Sequence, residues 1–283
     1  MEKSKKDFNT VWSQIAPIII DKIKQSFPDD KELLNNLLGI FELVSKVRLT
    51  EDVAVQKLGF DFLVEAERDA ASCKALYSKK LYPHAVYHFQ QAVEKATKGY
   101  MLGFNLLSIQ ELRTHDTPEL FMDALFEKTG IESWAKQLGD KGLETKISNA
   151  RQAMSRPDKR QEIARTMYDN IMADLSLIPA HVNKGKAMSE SLIEQVSPIV
   201  GMEFPPPPIF QAMSALVVLF ILAAISFPHV EYTRYPDKEI VPSDYEASLG
   251  IVRAIPRMIK CLKPEIQRLK AVMAVNKFEV KAK

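Results

Sequence analysis

Apolar residues recur every three or four positions along almost the whole chain, and this spacing constrains the fold more than any other feature. One such stripe lies between Thr50 and Lys80. It consists of Leu58, Phe62, Ala66, Ala70, Cys73 and Tyr77. A period close to 3.6 residues indicates amphipathic α-helices, whereas half-buried strands alternate at every second residue. The sequence offers no convincing pair of strands and no Asn-Gly or Asp-Gly hairpin turn. The chain is therefore predicted to be all-α.

Prolines and polar caps divide this pattern into separate helices. Pro83 suits the first turn of a helix, because its missing N–H has no intrahelical partner there, and Thr117 precedes a proline in the same way. The run GMEFPPPP at 201–208 predicts an extended linker, since consecutive prolines keep polyproline geometry. Near the C-terminus we predict a helix from Ser243, as its cap, to Leu262 and a final helix from Pro264 onward.

The composition is that of a soluble globular protein. Hydrophobic residues make up 46% and charged residues 26% of the 283 residues, which excludes disorder as the main state. The 38 Lys and Arg nearly balance the 36 Asp and Glu, so the overall charge does not indicate a general polyanion binder. Two cysteines are too few for a disulfide scaffold, and no secretory signal is evident at the start. We therefore expect a cytoplasmic location.

The 19 residues of 209–227 carry no charge and allow two interpretations. A bilayer is spanned by about 20 apolar residues, so the run could be a membrane helix. A helix that is buried on all sides in a helical core has the same composition. Flanking charge does not decide, because Lys184 and Lys186 before the run are balanced by Arg234 and Lys238 after it.

The helix that contains QQAVEKATKG carries a polar face. His88, Gln91, Lys95 and Lys98 fall at helical offsets that place them on one side. This face is either solvated, with pairs such as Glu94 and Lys98 adding a few tenths of a kcal/mol, or it is the wall of a cleft that meets a phosphate or an acidic partner. Small residues on another face would let a neighbouring helix approach closely. They are Ala85, Ala92, Ala96 and Gly99.

Metal and cofactor motifs are lacking. His84 and His88 have the i,i+4 spacing of a metal-ligand pair, but no third ligand completes a set. The sequence contains no Walker loop, GxGxxG, HExxH or GxSxG motif. We predict neither a metal site nor a cofactor.

Two blocks of the sequence resemble the HEPN (higher eukaryotes and prokaryotes nucleotide-binding) family. The first extends from Asp61 to His115, and its fairly specific part is the run QQAVEKATKG. The residues that carry this resemblance are Ala85, His88, Gln90, Gln91, Ala92, Glu94, Lys95, Ala96, Lys98, Gly99 and His115. The second block reads LVVLFILAAISFPHVEYTRYPDKEIVPSDYEASLGIVRAIPRMI and includes Thr233 to Asp237. The resemblance implies that 209–227 packs inside a four-helix core, so we do not expect it to span a membrane.

The two blocks, which normally lie close together in this family, are separated here by residues 117–208. We therefore predict a HEPN-like antiparallel helical bundle with a helical insertion. The predicted segments are an N-terminal helical extension at 1–60, the core halves at 61–116 and 209–265, the insertion with its Pro-rich linker at 117–208, and a C-terminal helix and tail at 266–283.

Many HEPN proteins are metal-independent ribonucleases that use an Arg followed four to six residues later by a His. Arg234 lies in the matching block, but Lys238, Glu239 and Ile240 stand where that His is expected. The resemblance therefore implies a module that binds a nucleotide, RNA or a nucleotidyltransferase-type partner protein, and that forms a homodimer. The residues that we expect to bind nucleotide or RNA are His88, Gln91, Lys95, Lys98 and Arg234.

The alternative is a metal-independent RNA endonuclease that acts as a toxin or defence effector. Arg234 and His115 are then the candidate catalytic residues, His115 replacing the missing His. Such cleavage needs a donor to the phosphate and a proton carrier at the 2′-hydroxyl.

Basic residues also concentrate at 146–165 and 253–270. Lys and Arg on surface helices are usually solvated, and neither run contains an aromatic residue for base stacking. The two runs are therefore only weak evidence for nucleic-acid binding.

Overall fold

The computed structural model describes residues 49–124, 141–176, 178–180, 183, 208–229, 233 and 241–274. Within these ranges the chain forms α-helices and short 3-10 turns and no strand, so the all-α prediction is confirmed. The α-helices that build the core and the site are α1 (Val53–Ser78), α2 (Tyr82–Gly103), α3 (Thr117–Asp123), α4 (Lys141–Met154), α5 (Pro157–Ala173), α6 (Pro208–Ser226) and α7 (Gly250–Ala274).

Helices α1 and α2 form an antiparallel hairpin whose ends are set by local chemistry. The carboxylate of Asp52 accepts hydrogen bonds from the backbone N–H groups of Ala54 and Val55 and so caps α1. Lys80, at φ 60°, turns the chain between the helices. Pro83 lies in the first turn of α2, as the sequence predicts.

The small residues of α2 allow the close approach that the sequence predicts. Ala85, Ala92 and Ala96 are fully buried. A Cβ atom on Gly99 would lie 2.7 Å from the carbonyl oxygen of Gly59 on α1 and 2.9 Å from Cγ of Leu63. The two backbones therefore meet where neither has a side chain.

Helices α6 and α7 pack against this hairpin and complete the core. The Nζ of Lys270 donates to Glu67 on α1 at 2.6 Å, and Met273 lies against Gly103 at the end of α2. The end of α7 therefore lies beside the beginning of α1, so these two helices run in opposite directions. This arrangement confirms the predicted antiparallel helical bundle.

Helix α7 differs from the sequence prediction. We predicted a helix from Ser243 to Leu262, kinked at Pro256, and a new one from Pro264. In the structure Ser243 lies in a 3-10 turn, Pro242–Asp244, and α7 begins at Gly250 and continues through Pro264 as well as Pro256. An internal proline costs about 3 kcal/mol, because it removes a hydrogen bond and crowds the preceding turn. Burial of the inner face offsets this cost. The buried apolar residues there include Ile251, Ile255, Met258, Leu262, Ile266 and Leu269.

Helix α6 contains most of the uncharged run 209–227. Its described side chains at Ala215, Val218, Leu219 and Leu222 are fully buried in the hydrophobic core. Among the helices that the structure describes, none combines the length and the apolarity needed to cross a membrane.

Other sequence predictions lie outside the described residues. They concern the N-terminal extension up to residue 48, the linker up to residue 207, the tail after residue 274 and the segment that contains Arg234.

Candidate functional site

A buried aspartate on α1 holds two polar side chains of α2. Asp69 accepts a hydrogen bond from Nδ1 of His88 at 2.8 Å and another from Nζ of Lys95 at 2.6 Å. His88 and Lys95 lie two helical turns apart, so one carboxylate bridges about 10 Å of helix. The side chains of His88 and Lys95 are 31% and 30% exposed. Asp69 therefore fixes them at the edge of the hairpin while they remain accessible to solvent.

A second carboxylate, Glu94 on α2, has a side chain that is only 5% exposed. Its Oε1 accepts hydrogen bonds from Nζ of Lys98 at 2.8 Å and from Nδ1 of His115 at 2.9 Å. Its Oε2 accepts from Nε2 of Gln90 and of Gln91, both at 3.3 Å. Both oxygens of Glu94 are therefore occupied by partners within the chain.

His115 reaches Glu94 from a loop whose shape is fixed by short-range hydrogen bonds. Asp116 caps α3 by accepting from the N–H of Glu119, and its own N–H donates to Oγ1 of Thr114. The His115 side chain is 66% exposed, although its Nδ1 is bonded to a buried carboxylate. Because a carboxylate only accepts, Nδ1 carries the proton, and in the neutral imidazole Nε2 is the acceptor.

The structure joins the sequence-predicted residues of α2 in two hydrogen-bonded clusters, one around Asp69 and one around Glu94, which together we call the network. His88 and Lys95 share Asp69, and Gln91 and Lys98 share Glu94. The solvated-face interpretation is wrong for Glu94 and Lys98, because both are almost completely buried.

Arg234 lies outside the described residues, so its position relative to this network is not described. Sequence reasoning missed Asp69. The available signal was an acidic residue next to the apolar stripe of α1, between Ala66 and Cys73, where a buried carboxylate needs a partner.

The network is close to electrically neutral. With both imidazoles neutral, the charges of Asp69 and Glu94 cancel those of Lys95 and Lys98. Protonation of His88 and His115 would add positive charge at two members that are accessible to solvent. Buried ion pairs contribute little net stability, because desolvation offsets their attraction. The network therefore serves to fix side chains at defined positions.

His229, after the end of α6, has a different environment. It is buried, its Nδ1 lies 2.7 Å from the hydroxyl of Tyr245, and its ring contacts that of Tyr168. Burial lowers the pKa of His229 from 6.5 to about 3. It therefore stays neutral at physiological pH and joins α5, the end of α6 and the segment before α7.

The part of the chain that the structure describes offers no evident set of metal ligands. No group of three or more His, Cys, Asp or Glu side chains there is arranged to hold a metal ion. His88, half of the i,i+4 pair, is bonded to Asp69.

Comparison with known proteins gives two matches. Residues 61–177 match the family model of the HEPN domain. The chain is also 32% identical, over 77 residues, to a protein of Methanocaldococcus jannaschii named "Putative toxin MJ1304". That alignment covers 27% of this chain and 48% of the archaeal protein, so the chain spans about half the length of the curated relative that it matches. No solved structure matches the chain.

The HEPN match includes both carboxylates of the network and all of their partners, from Asp69 to His115. The two features that carry the sequence resemblance, the QQAVEKATKG run and His115, are thus the features that Glu94 joins in space. The resemblance to the HEPN family is confirmed, since residues 61–177 of this chain match the model of the HEPN domain.

Proposed function

We propose that this chain is a binding module for a phosphate-bearing ligand, a nucleotide or RNA, which docks at the polar face of α2. The observation that carries the proposal is the pair of carboxylates, Asp69 and Glu94, that hold His88, Lys95 and His115 at the surface. Fixed donors lose little side-chain entropy when a ligand arrives, which favours binding. The HEPN match and the relative named as a toxin support the same class of function.

The roles of the residues follow from their exposure. Lys95, His88 and His115 are accessible and would donate to phosphate oxygens, the two histidines in their protonated form. Gln91 is half-buried beside them and would contribute an amide donor. Lys98 is nearly covered, so we assign it to holding Glu94 rather than to direct contact. We also propose Arg234 as a phosphate ligand, because it lies in the second block that resembles the HEPN family.

The test is direct binding of a fluorescent ATP analogue and of labelled single-stranded RNA to purified protein. Lys95→Gln should weaken binding of the ligand by about tenfold to a hundredfold, because a charged hydrogen bond contributes about 1.5–3 kcal/mol. Lys57→Gln is the matched control, since Lys57 is an exposed Lys on α1 that also pairs with an Asp. Equal affinities of the two variants, or no binding by the wild-type chain, would contradict the proposal.

A second candidate function, metal-independent RNA cleavage, is favoured by the geometry of His115. A carboxylate that fixes Nδ1–H leaves Nε2 as a proton acceptor, which is the arrangement of a general base. In this reaction Nε2 takes the proton of a 2′-hydroxyl, the 2′-oxygen bonds to phosphorus, and the 5′-oxygen leaves with a proton from solvent. The substrate would be RNA, because DNA has no 2′-hydroxyl.

Cleavage of labelled RNA in EDTA separates the two candidates. If the chain is a ribonuclease, His115→Ala and Arg234→Ala should each lose activity by at least a hundredfold, as expected for a general base and a phosphate donor. His84→Ala, at an exposed histidine outside the network, should remain active. Intact RNA at high protein concentration would leave only the binding module.

The finer expectations from the resemblance are proposed as well. They are a nucleotidyltransferase-type partner, a homodimer and a cytoplasmic location, and co-purification with size-exclusion chromatography tests the first two. We also propose that the bundle is assembled from 61–116 and 209–265 around an insertion. The packing of α6 and α7 against α1 and α2 supports this division, although the HEPN match itself extends to residue 177.

A further inference from the structure

The outward face of the first half of α7 carries a row of basic side chains. Arg253, Arg257 and Lys260 are exposed and Lys263 is half-buried. They follow one another at intervals of three or four residues, so they occupy successive turns over about 15 Å. We call these four residues the α7 stripe.

With the carboxylates that the structure describes, the α7 stripe makes none of the ion pairs that other basic residues make. Within the described ranges, no carboxylate lies within ion-pair distance of any of its four members, whereas Lys270 pairs with Glu67, Arg156 with Asp158 and Lys159 with Glu162. The acidic residue within 253–270, Glu265, is fully buried and accepts from Arg268.

One described carboxylate interacts electrostatically with the stripe without forming an ion pair. The pKa of Asp174, after the end of α5, is lowered first by its hydrogen bonds with Ser176 and further by the charge of Arg257. Asp174 is fully exposed, so water screens this interaction. Among the carboxylates that the structure describes, none therefore neutralises the stripe.

The placement of the stripe is unfavourable for the fold. A helix N-terminus carries a partial positive charge, and Arg253 lies in the first turn of α7. Like charges three or four residues apart also repel each other. An anion bound along this face would remove both penalties and would itself be attracted by the helix dipole.

We propose that the α7 stripe binds the phosphates of an RNA backbone, independently of base sequence. The proposal rests on the proposed function and narrows it, because a surface of this length favours a polynucleotide over a single nucleotide. Single positive charges repeated at short intervals suit a chain of phosphates. Each guanidinium group can also donate two hydrogen bonds to the oxygens of one phosphate. The stripe contains no aromatic residue to stack on bases, which leaves the backbone as the target.

The experiment measures binding of a labelled oligo(U) and of a fluorescent ATP analogue over a series of salt concentrations. The stripe variant is Arg253→Gln with Lys260→Gln. The control variant is Arg156→Gln with Lys159→Gln, which changes the net charge equally but removes cations that are paired within the chain. Loss of two phosphate contacts should reduce the salt slope for oligo(U) by about 1.4 and the affinity at 0.1 M salt by about tenfold or more.

Each outcome decides the proposal. Support requires that the stripe variant loses oligo(U) affinity, retains binding of the ATP analogue and has an unchanged or higher Tm, while the control variant binds as the wild type does. Equal losses in both variants, or no loss in either, would overturn it. So would displacement of oligo(U) by poly-glutamate of matched charge, which would indicate an acidic protein partner.

Failure of this inference differs from failure of the proposed function. If Lys95→Gln loses the ligand and the stripe variant does not, α2 binds RNA without α7. If the wild-type chain binds neither probe, both proposals are wrong.

Discussion

Basic residues at helical spacing occur on both α2 and α7, but their surroundings are opposite. On α2, Lys95 forms an ion pair with the buried Asp69 of α1, and Lys98 forms one with the buried Glu94 of α2 itself. On the outer face of α7, Arg253 and Lys260 meet solvent, with no described carboxylate within ion-pair distance. The spacing along a helix determines which side chains share a face. The neighbouring helix determines whether those side chains are fixed or available.

This difference has an energetic consequence. Removing one partner of a buried pair leaves an uncompensated charge, which is strongly destabilising. Removing an exposed, unpaired cation leaves nothing unsatisfied. The two helices should therefore respond differently to mutations that look equivalent in the sequence.

The largest effect is expected at Glu94. Glu94→Leu strands the buried ammonium of Lys98, so the free energy of unfolding should fall by about 3–5 kcal/mol. The double variant Glu94→Leu with Lys98→Met should recover most of this loss, because apolar residues of similar size replace the pair. Urea denaturation followed by circular dichroism measures both. A double variant as unstable as the single one would show that the pair itself stabilises the fold.

The next effect concerns the contact between α1 and α2. Gly99→Ala places a methyl group 2.7 Å from the carbonyl oxygen of Gly59, and the backbone of α1 cannot yield easily, so we expect a loss of about 1–3 kcal/mol.

Gly103→Ala is the matched control in the same helix. Its Cβ would collide with the end of the Met273 side chain, which can change rotamer. It should therefore cost less than Gly99→Ala in the same denaturation experiment. The reverse order would show that α7 is packed more rigidly on the hairpin than α1 and α2 are on each other.

Much of this fold could be predicted from the sequence, because apolar residues that recur every three or four positions mark the buried face of a helix. The stripe of α1 and the proline start of α2 predicted these two helices correctly, and the small residues around Gly99 predicted the close approach of a neighbouring helix. The C-terminal end of α7 could not be predicted, since Pro264 is a local signal to stop a helix and only the packing of a whole apolar face overrides it.

The candidate site was predicted only in part. Helical spacing placed His88, Gln91, Lys95 and Lys98 together, and the structure holds them in two pairs, on Asp69 and on Glu94. It could not reveal Asp69, because the contact joins residues on two helices and depends on how these helices are aligned. Spacing also gives no exposure, so it could not distinguish the buried Lys98 from the accessible Lys95.

The third prediction concerns the pH dependence of stability and compares two histidines, the buried His229 and the exposed His84. Burial lowers the pKa of His229 to about 3, so below pH 6.5 the unfolded chain takes up a proton that the folded chain does not. Stability linked to His229 is complete above pH 6.5 and is lost as the pH falls toward 3, by up to about 1.4 kcal/mol per pH unit.

Urea midpoints at several pH values between 7 and 4.5 measure this loss. His229→Gln cannot take up that proton, so its stability should vary less with pH than that of the wild type. His84→Gln should keep the wild-type pH dependence. If His229→Gln and the wild type lose stability in parallel, other groups dominate acid unfolding.

The smallest effect is expected on α7. Arg253→Gln removes a cation from the positive end of the helix and relieves its repulsion with Arg257, so the protein should become more stable by about 0.3–1 kcal/mol.

The variant to compare with Arg253→Gln is Lys95→Gln on α2, where Asp69 loses a hydrogen-bond donor and stability should fall. Thermal unfolding of both variants at low and high salt compares them. The gain at Arg253 should shrink as salt screens the charges. A loss of stability in both variants would mean that the cations of α7 contribute to the fold as those of α2 do, and the contrast between the two helices would disappear.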